Sequence, residues 1–98
     1  MISNLASVHP EAKLAGNITV DPFAVIEADV EIGEGSTISS HACILSGTRL
    51  GKNCRVFQGA VVGGIPQDLK FDGEESLVVI GDNTTIRENA TINRGTKA

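Results

Sequence analysis

The sequence predicts an all-β chain wound as a left-handed parallel β-helix, three hexapeptides to a coil, with one loop ejected at about 63–79. Three observations carry this. An aliphatic residue returns every sixth position: Ile2, Val8, Leu14, Val20, Ile26, Ile32, Ile38, Ile44, Leu50, Val56 and Val62, resuming at Ile80, Ile86 and Ile92. Four positions after most of these stands a small residue, as at Ala6, Ala12, Ala24, Ser36, Ala42, Cys54, Ala60 and Ala90. The 98 residues hold only three aromatics (Phe23, Phe57, Phe71) and 11 glycines, a composition that suits a narrow interior better than a conventional globular core.

A hexapeptide period means a coil because of the neighbours each aliphatic side chain can find. Six fits neither the 3.6 of an α-helix nor the alternation of a half-buried strand, so the apolar set must be gathered by stacking successive turns. Coils stacked roughly 4.8 Å apart pair like strands of a parallel sheet. Such coils are left-handed, against the right-handed rule for crossovers.

Taken in order, Ile2, Val8 and Leu14 supply the three faces of the opening coil. Val20, Ile26 and Ile32 supply the second, Ile38, Ile44 and Leu50 the third, and Val56 and Val62 begin the fourth. Stepping by eighteen predicts three internal ladders: Val8, Ile26, Ile44, Val62 and Ile80; Ile2, Val20, Ile38 and Val56; Leu14, Ile32 and Leu50. β-branched residues dominate them, as a buried pleated surface prefers. The small residues fall where the chain turns a corner. Cys54 occupies such a corner and Cys43 follows one, so neither suggests a metal site or a disulfide framework.

Between Val62 and Ile80 the repeat breaks. Its ladder positions would fall on Asp68 and Glu74, and neither can be buried unpaired without a cost of several kcal/mol. The chain is therefore expected to leave the coil over 63–76, opening with Gly63, Gly64 and Pro66, which suit a sharp exit. Loops carried on a rigid scaffold are where binding residues concentrate.

Charge is unevenly placed behind the net value of −4. Residues 1–48 hold six acids and one base, and residues 49–98 hold seven bases against six acids. An anionic ligand or acidic partner is drawn to the second half. The acidic balance and the lack of an aromatic stacking set speak against nucleic-acid binding. No run approaches the ~20 apolar residues of a membrane span, and the first residues lack a basic-then-apolar signal segment, so a cytoplasmic protein is expected.

The segment Gln67-Asp68-Leu69-Lys70-Phe71, followed by Gly73-Glu74, Ile80-Gly81-Asp82, Ile86-Arg87-Glu88 and Thr91-Ile92-Asn93-Arg94-Gly95-Thr96, closely resembles the acyl-carrier-protein–UDP-N-acetylglucosamine O-acyltransferases that begin lipid A synthesis. Val8-His9-Pro10 and Ile32-Gly33-Glu34-Gly35 are similar to the same family. The hexapeptides alone would point only to a wider superfamily of acyltransferases, nucleotidyltransferase companion domains and γ-type carbonic anhydrases.

The resemblance implies transfer of a 3-hydroxyacyl group from acyl carrier protein to the 3-hydroxyl of UDP-N-acetylglucosamine. It implies a homotrimer with the site in the groove between subunits, and no metal or other cofactor. It also implies a histidine general base and a backbone N–H that stabilises the oxyanion. Carried over residue by residue, it makes Asp68 and Lys70 substrate contacts, with Gln67 and Asn93 behind them. Many relatives have histidine where this chain has Asn93. An amide can donate or accept a hydrogen bond there but cannot shuttle a proton. The catalytic histidine of the family belongs to a later coil, downstream of Ala98, so no catalytic residue is assigned within this sequence.

The sequence ends in mid-repeat without a polar cap, which reads as one β-helix domain over 1–98, truncated at its carboxyl end. His9 and His41 are expected to point outward at coil edges. They stand 32 residues apart, not a multiple of the coil, and a carbonic anhydrase site needs three histidines. Two alternatives stand beside the acyltransferase reading: a noncatalytic scaffold or assembly fragment, and another hexapeptide-repeat acyltransferase.

Overall fold

The computed structural model describes residues 1–64 and 77–93. The described residues form thirteen short strands and no helix, arranged in three parallel sheets. One face of the prism stacks β1 (Ser7–Val8), β4 (Val25–Ile26), β7 (Cys43–Ile44), β10 (Val61–Gly64) and β13 (Thr91–Asn93). The second stacks β2 (Lys13–Leu14), β5 (Val30–Ile32), β8 (Thr48–Leu50) and β11 (Val78–Ile80). The third stacks β3 (Thr19–Val20), β6 (Thr37–Ile38), β9 (Arg55–Val56) and β12 (Thr85–Ile86). Each strand pairs with the one three elements away, so the chain visits every face once per coil, as the repeat requires.

The aliphatic period becomes three continuous columns inside the prism. Val8, Ile26, Ile44, Val62 and Ile92 run up the first face. Leu14, Ile32, Leu50 and Ile80 run up the second. Ile2, Val20, Ile38, Val56 and Ile86 run up the third. The middle coils are the best shielded: Ile38, Ile44 and Val62 expose nothing. Burying each such side chain contributes about 1.5–3 kcal/mol. Corner positions fill what space remains, with Ala24, Ala42 and Ala60 fully buried before the first face and Val30, Thr48 and Val78 before the second.

One ladder differs from the sequence expectation. Ile80 does not stack on Val62; it pairs with Leu50, and Ile92 takes the place above Val62. Leu50 to Ile80 is thirty residues where a coil takes eighteen, and the same thirty separates Val56 from Ile86 and Val62 from Ile92. The break therefore inserts twelve residues, two whole hexapeptides, which leaves the phase of the repeat intact while moving its face. The boundaries also tighten. Gly63 and Gly64 remain in β10, and Val78 to Ile80 form β11, so the coil extends into both ends of the span 63–79.

Six non-glycine residues turn corners with positive φ: Asn17, Phe23, His41, Asn53, Asn83 and Asn89. Asparagine tolerates this left-handed conformation and histidine is also enriched in it, as at His41 (φ 64°), whereas Phe23 (φ 70°) is a bulky residue that rarely adopts it. Their rings lie 5.5 Å apart on adjacent coils, a contact that offsets part of the backbone cost.

The corner preceding the third face carries a polar column within the apolar interior. Buried Ser36 accepts a hydrogen bond at its Oγ from the Cys54 backbone N–H (2.9 Å) and donates to the Gly51 carbonyl (3.0 Å). One coil on, the Cys54 thiol and the Thr84 hydroxyl both donate to the Gly81 carbonyl, at 3.2 and 2.7 Å. Among the described residues, no helix is long and apolar enough to cross a membrane.

Candidate functional site at the break in the repeat

The place where the chain leaves the coil is built from β10, β13 and the corner below them. On β10, Val62 faces Ile92 in register, but the next pairing joins Gly64 to Asn93, so Gly63 and Gly64 together oppose one residue of β13. This is a bulge, the device by which a strand bends and ends its pairing. Gly63 sits at φ 94°, and a Cβ there would run into the Thr48 hydroxyl and lie 2.9 Å from the Leu45 carbonyl oxygen. Only glycine fits that space and that backbone. The Thr48 hydroxyl, fully buried, donates to the Val62 carbonyl at 3.3 Å and so braces the turn from within.

Asn93 closes this exit from above. It is the last residue of β13 and is exposed, and a Cβ on Gly64 would lie only 3.1 Å from its side-chain oxygen. Gly64 thus lets the amide lie close against the backbone of the outgoing strand, with hydrogen-bonding capacity left to face solvent. The other expected contacts, Gln67, Asp68 and Lys70, lie outside the described residues.

Charge beside this corner is carried by one network. Arg49, outward on β8, donates to the Asp29 carboxylate at 2.7 Å and approaches the Glu31 carboxylate at 3.3 Å, and it also donates to the backbone carbonyls of Asp29 and Thr48. The Glu27 carboxylate accepts from the Ser46 backbone N–H at 2.8 Å. These bonds tie the acids of the second coil to the third coil. On the last described coil, Glu88 pairs with Arg87 at 3.1 Å. A backbone hydrogen bond first, and the Arg87 charge after it, hold the Glu88 carboxyl below the usual carboxylate range.

Neither histidine belongs to the exit. His9 is exposed, and its Nδ1 accepts from the Glu11 backbone N–H at 3.0 Å, three coils and roughly 14 Å from β10 along the stack. His41 is exposed and stacked on Phe23 at the corner leading into β7. Both point outward, as the sequence predicts. Cys54 fills its corner and is fully buried, and Cys43 is half-buried on β7. No group of three or more histidine, cysteine or carboxylate side chains among the described residues could hold a metal ion. The described corner can bind polar groups through backbone and amide, and it holds no acid–base residue.

Sequence reading found the glycines and Asn93 but missed the supports beneath them. Thr48 is recognisable only by its place four residues after Ile44, and Arg49 by the acids eighteen and twenty residues before it.

Comparison with known proteins gives a consistent likeness. No protein-family model matches the chain. An acyl-[acyl-carrier-protein]–UDP-N-acetylglucosamine O-acyltransferase from Saccharophagus degradans is 45% identical over 91 residues, 93% of this chain and 35% of that protein. The crystal structure of a UDP-N-acetylglucosamine acyltransferase from Bacteroides fragilis matches 98% of this chain and 38% of its own, with 56% identity and a TM-score of 0.96. The enzyme of the same name from Francisella novicida matches 98% of this chain and 35% of its own, with 47% identity and a TM-score of 0.94. The chain thus spans little more than a third of the length of these relatives. Superposition at this level also fixes the hand of the coil, which is left-handed as in those structures.

Proposed function

Because the chain is similar over nearly its whole length to about a third of a UDP-N-acetylglucosamine acyltransferase, we propose that it is the amino-terminal part of such an enzyme. The reaction moves a 3-hydroxyacyl group from the thioester of acyl carrier protein to the 3-hydroxyl of UDP-N-acetylglucosamine, the opening step of lipid A synthesis. What carries the reading is that the likeness runs through 98% of the chain and not through the hexapeptides alone.

In the proposed mechanism a histidine outside these 98 residues takes the proton of the sugar hydroxyl. The oxygen attacks the thioester carbonyl, the C–O bond forms, and the C–S bond breaks to release the carrier thiol, which recovers the proton. A backbone N–H stabilises the oxyanion on the way. Asn93 contributes a neutral hydrogen-bonding contact at the exit corner, and Gln67, Asp68 and Lys70 contribute the polar contacts of the segment that follows it. The working form is a cytoplasmic homotrimer, with the groove between two subunits completing the site.

The test uses a chain extended by the downstream coils that the relatives possess. Incubated with a 3-hydroxyacyl carrier protein and UDP-N-acetylglucosamine, it should yield the O-acylated sugar nucleotide by mass spectrometry. A folded extended chain that binds UDP-N-acetylglucosamine but forms no such product would exclude the transfer, and one that binds neither substrate would return the chain to the status of a scaffold.

A further inference from the structure

We propose that the outer surface of the third face carries a binding site for a phosphate group, built by Arg55, Phe57 and Arg87. The three residues come from two coils. Arg55 lies on β9, and Phe57 turns the corner after it. Arg87 follows β12 on the next coil, where Phe57 hydrogen-bonds through its N–H to the Ile86 carbonyl. The guanidinium carbon of Arg87 lies 4.6 Å from the centre of the Phe57 ring and that of Arg55 lies 5.6 Å from it. One phenyl ring thus holds two like charges. A ring face orients a guanidinium but carries no charge to neutralise it.

What the ring leaves uncompensated is visible by contrast with Arg49. That arginine also points outward from a strand, and it is met by two carboxylates, Asp29 and Glu31. Arg55 has threonines as its strand neighbours on both adjoining coils, Thr37 below and Thr85 above, and forms no ion pair among the described residues. Arg87 is engaged by Glu88 through its Nε, which leaves its terminal nitrogens without an ion pair among the described residues. Arg55 and Phe57 also line a recess of about 130 Å³ with Thr37, Ser39 and Val56, and Arg87 adjoins it across the Phe57 ring. Its polar side chains are a guanidinium and two hydroxyls, all able to donate. A donor-rich recess with one guanidinium fork in its wall and a second held on the adjoining ring suits a tetrahedral oxyanion, to which arginine binds in bidentate fashion. Arg55 and Arg87 are both exposed, so a fourth oxygen or an ester group can remain in solvent and a monoester fits as well as the free ion.

The test is a titration of the isotope-labelled chain with inorganic phosphate, exchanged against chloride at constant ionic strength and followed by amide chemical shifts. Saturable shifts confined to Ser39, Arg55, Phe57 and Arg87 are expected. Arg55→Gln should weaken the midpoint about tenfold, the loss of one charge-assisted pair, and Phe57→Leu should weaken it too by freeing both guanidiniums. Both variants lie on the surface, and unchanged shifts at the interior ladders would show that they fold. Glycerol 3-phosphate should saturate the same amides. Shifts that rise linearly, spread over all basic residues, or persist unchanged in Arg55→Gln would overturn the site. Binding of the monoester without binding of inorganic phosphate would overturn it as well, by placing the affinity outside the oxyanion.

Discussion

Ile80 lies in register on Leu50, thirty residues earlier, and two residues before each of them Val78 lies on Thr48. The coil therefore runs from Val62 through Gly63, Gly64, Leu77, Val78 and Val79 to Ile80 as though 65–76 were absent, six steps between ladder positions as everywhere else. Deleting 65–76 should restore an uninterrupted hexapeptide repeat. The shortened chain should fold with a stability within about 1 kcal/mol of the original, since closing or removing a loop of this size changes the free energy only slightly. Thermal melting followed by circular dichroism checks this. A shortened chain that fails to fold would mean that the coil does not close across Gly64 and Leu77.

That register was only half legible in the sequence. The insertion is two full hexapeptides, so counting by six gives the same ladder residues whether Ile80 stacks on Val62 or on Leu50. The discriminating signal is the corner residue. Alanine stands two positions before Ile26, Ile44 and Val62, whereas Val30, Thr48 and Val78 stand two positions before Ile32, Leu50 and Ile80. Leu14, also on the second face, has alanine at the same place in Ala12, so corner size separates these two faces only from the second coil onward. The left-handed φ of Phe23 could not be read at all, since local preference runs against it there, and the tilted ring contact with His41 on the next coil offsets part of the cost. The exit corner was legible in its glycines and in Asn93, while the hydroxyl of Thr48 that braces it required the fold.

Ile44 has no exposed surface and lies between Ile26 and Val62. Ile44→Ala should cost about 2–5 kcal/mol, from lost burial and from a cavity that a stacked coil can collapse only partly. His41→Gly, at a corner where glycine already serves in the next coil as Gly59, should change stability by less than about 1 kcal/mol, because relief of the left-handed backbone offsets the lost ring contact. Chemical denaturation of the two variants checks the assignment. Equal midpoints would contradict it.

Ser36 serves two backbone groups at once, the Cys54 N–H and the Gly51 carbonyl. Ser36→Ala leaves the buried Cys54 N–H unsatisfied, at about 1–3 kcal/mol, and removes a further donor from the half-buried Gly51 carbonyl. Cys54→Ala removes one weak thiol donor to the Gly81 carbonyl, which the Thr84 hydroxyl also serves. It should cost distinctly less than Ser36→Ala. Hydrogen exchange at the Cys54 amide should accelerate in Ser36→Ala and stay slow in the cysteine variant if the corner is held as described.

Gly63→Ala tests the exit geometry. The new methyl group would meet the Thr48 hydroxyl and the Leu45 carbonyl at a φ of 94°. Left-handed strain and the clash together should cost about 2 kcal/mol or more. Combining it with Thr48→Ser, which keeps the hydroxyl and removes a methyl group beside it, should recover little, because the methyl of Gly63→Ala meets the hydroxyl itself. Thr48→Ala removes that obstacle, and the Val62 carbonyl keeps the Leu45 N–H at 2.8 Å, but the left-handed backbone and the close Leu45 carbonyl remain, so the double variant should recover only part of the loss.

Lys70 lies among the residues that the coil's period does not need, so its loss should leave the ladders untouched and affect only what it binds. In a chain extended by downstream coils, Lys70→Ala should lower kcat/KM for acyl transfer about tenfold or more, the loss of a charged hydrogen bond of ~1.5–3 kcal/mol. Asn93→Ala should have a smaller effect, since a neutral amide contact contributes about 0.5–1.5 kcal/mol. Neither substitution should move the melting temperature by more than a few degrees. The 98-residue chain itself should show no transfer, because without a positioned base the reaction forgoes a factor of about 10²–10⁴. Steady-state kinetics on the extended variants decide the matter. An unchanged kcat/KM for Lys70→Ala would remove the segment after Gly64 from the substrate site, and turnover by the 98-residue chain alone would require a base among His9, His41 and the carboxylates of that segment.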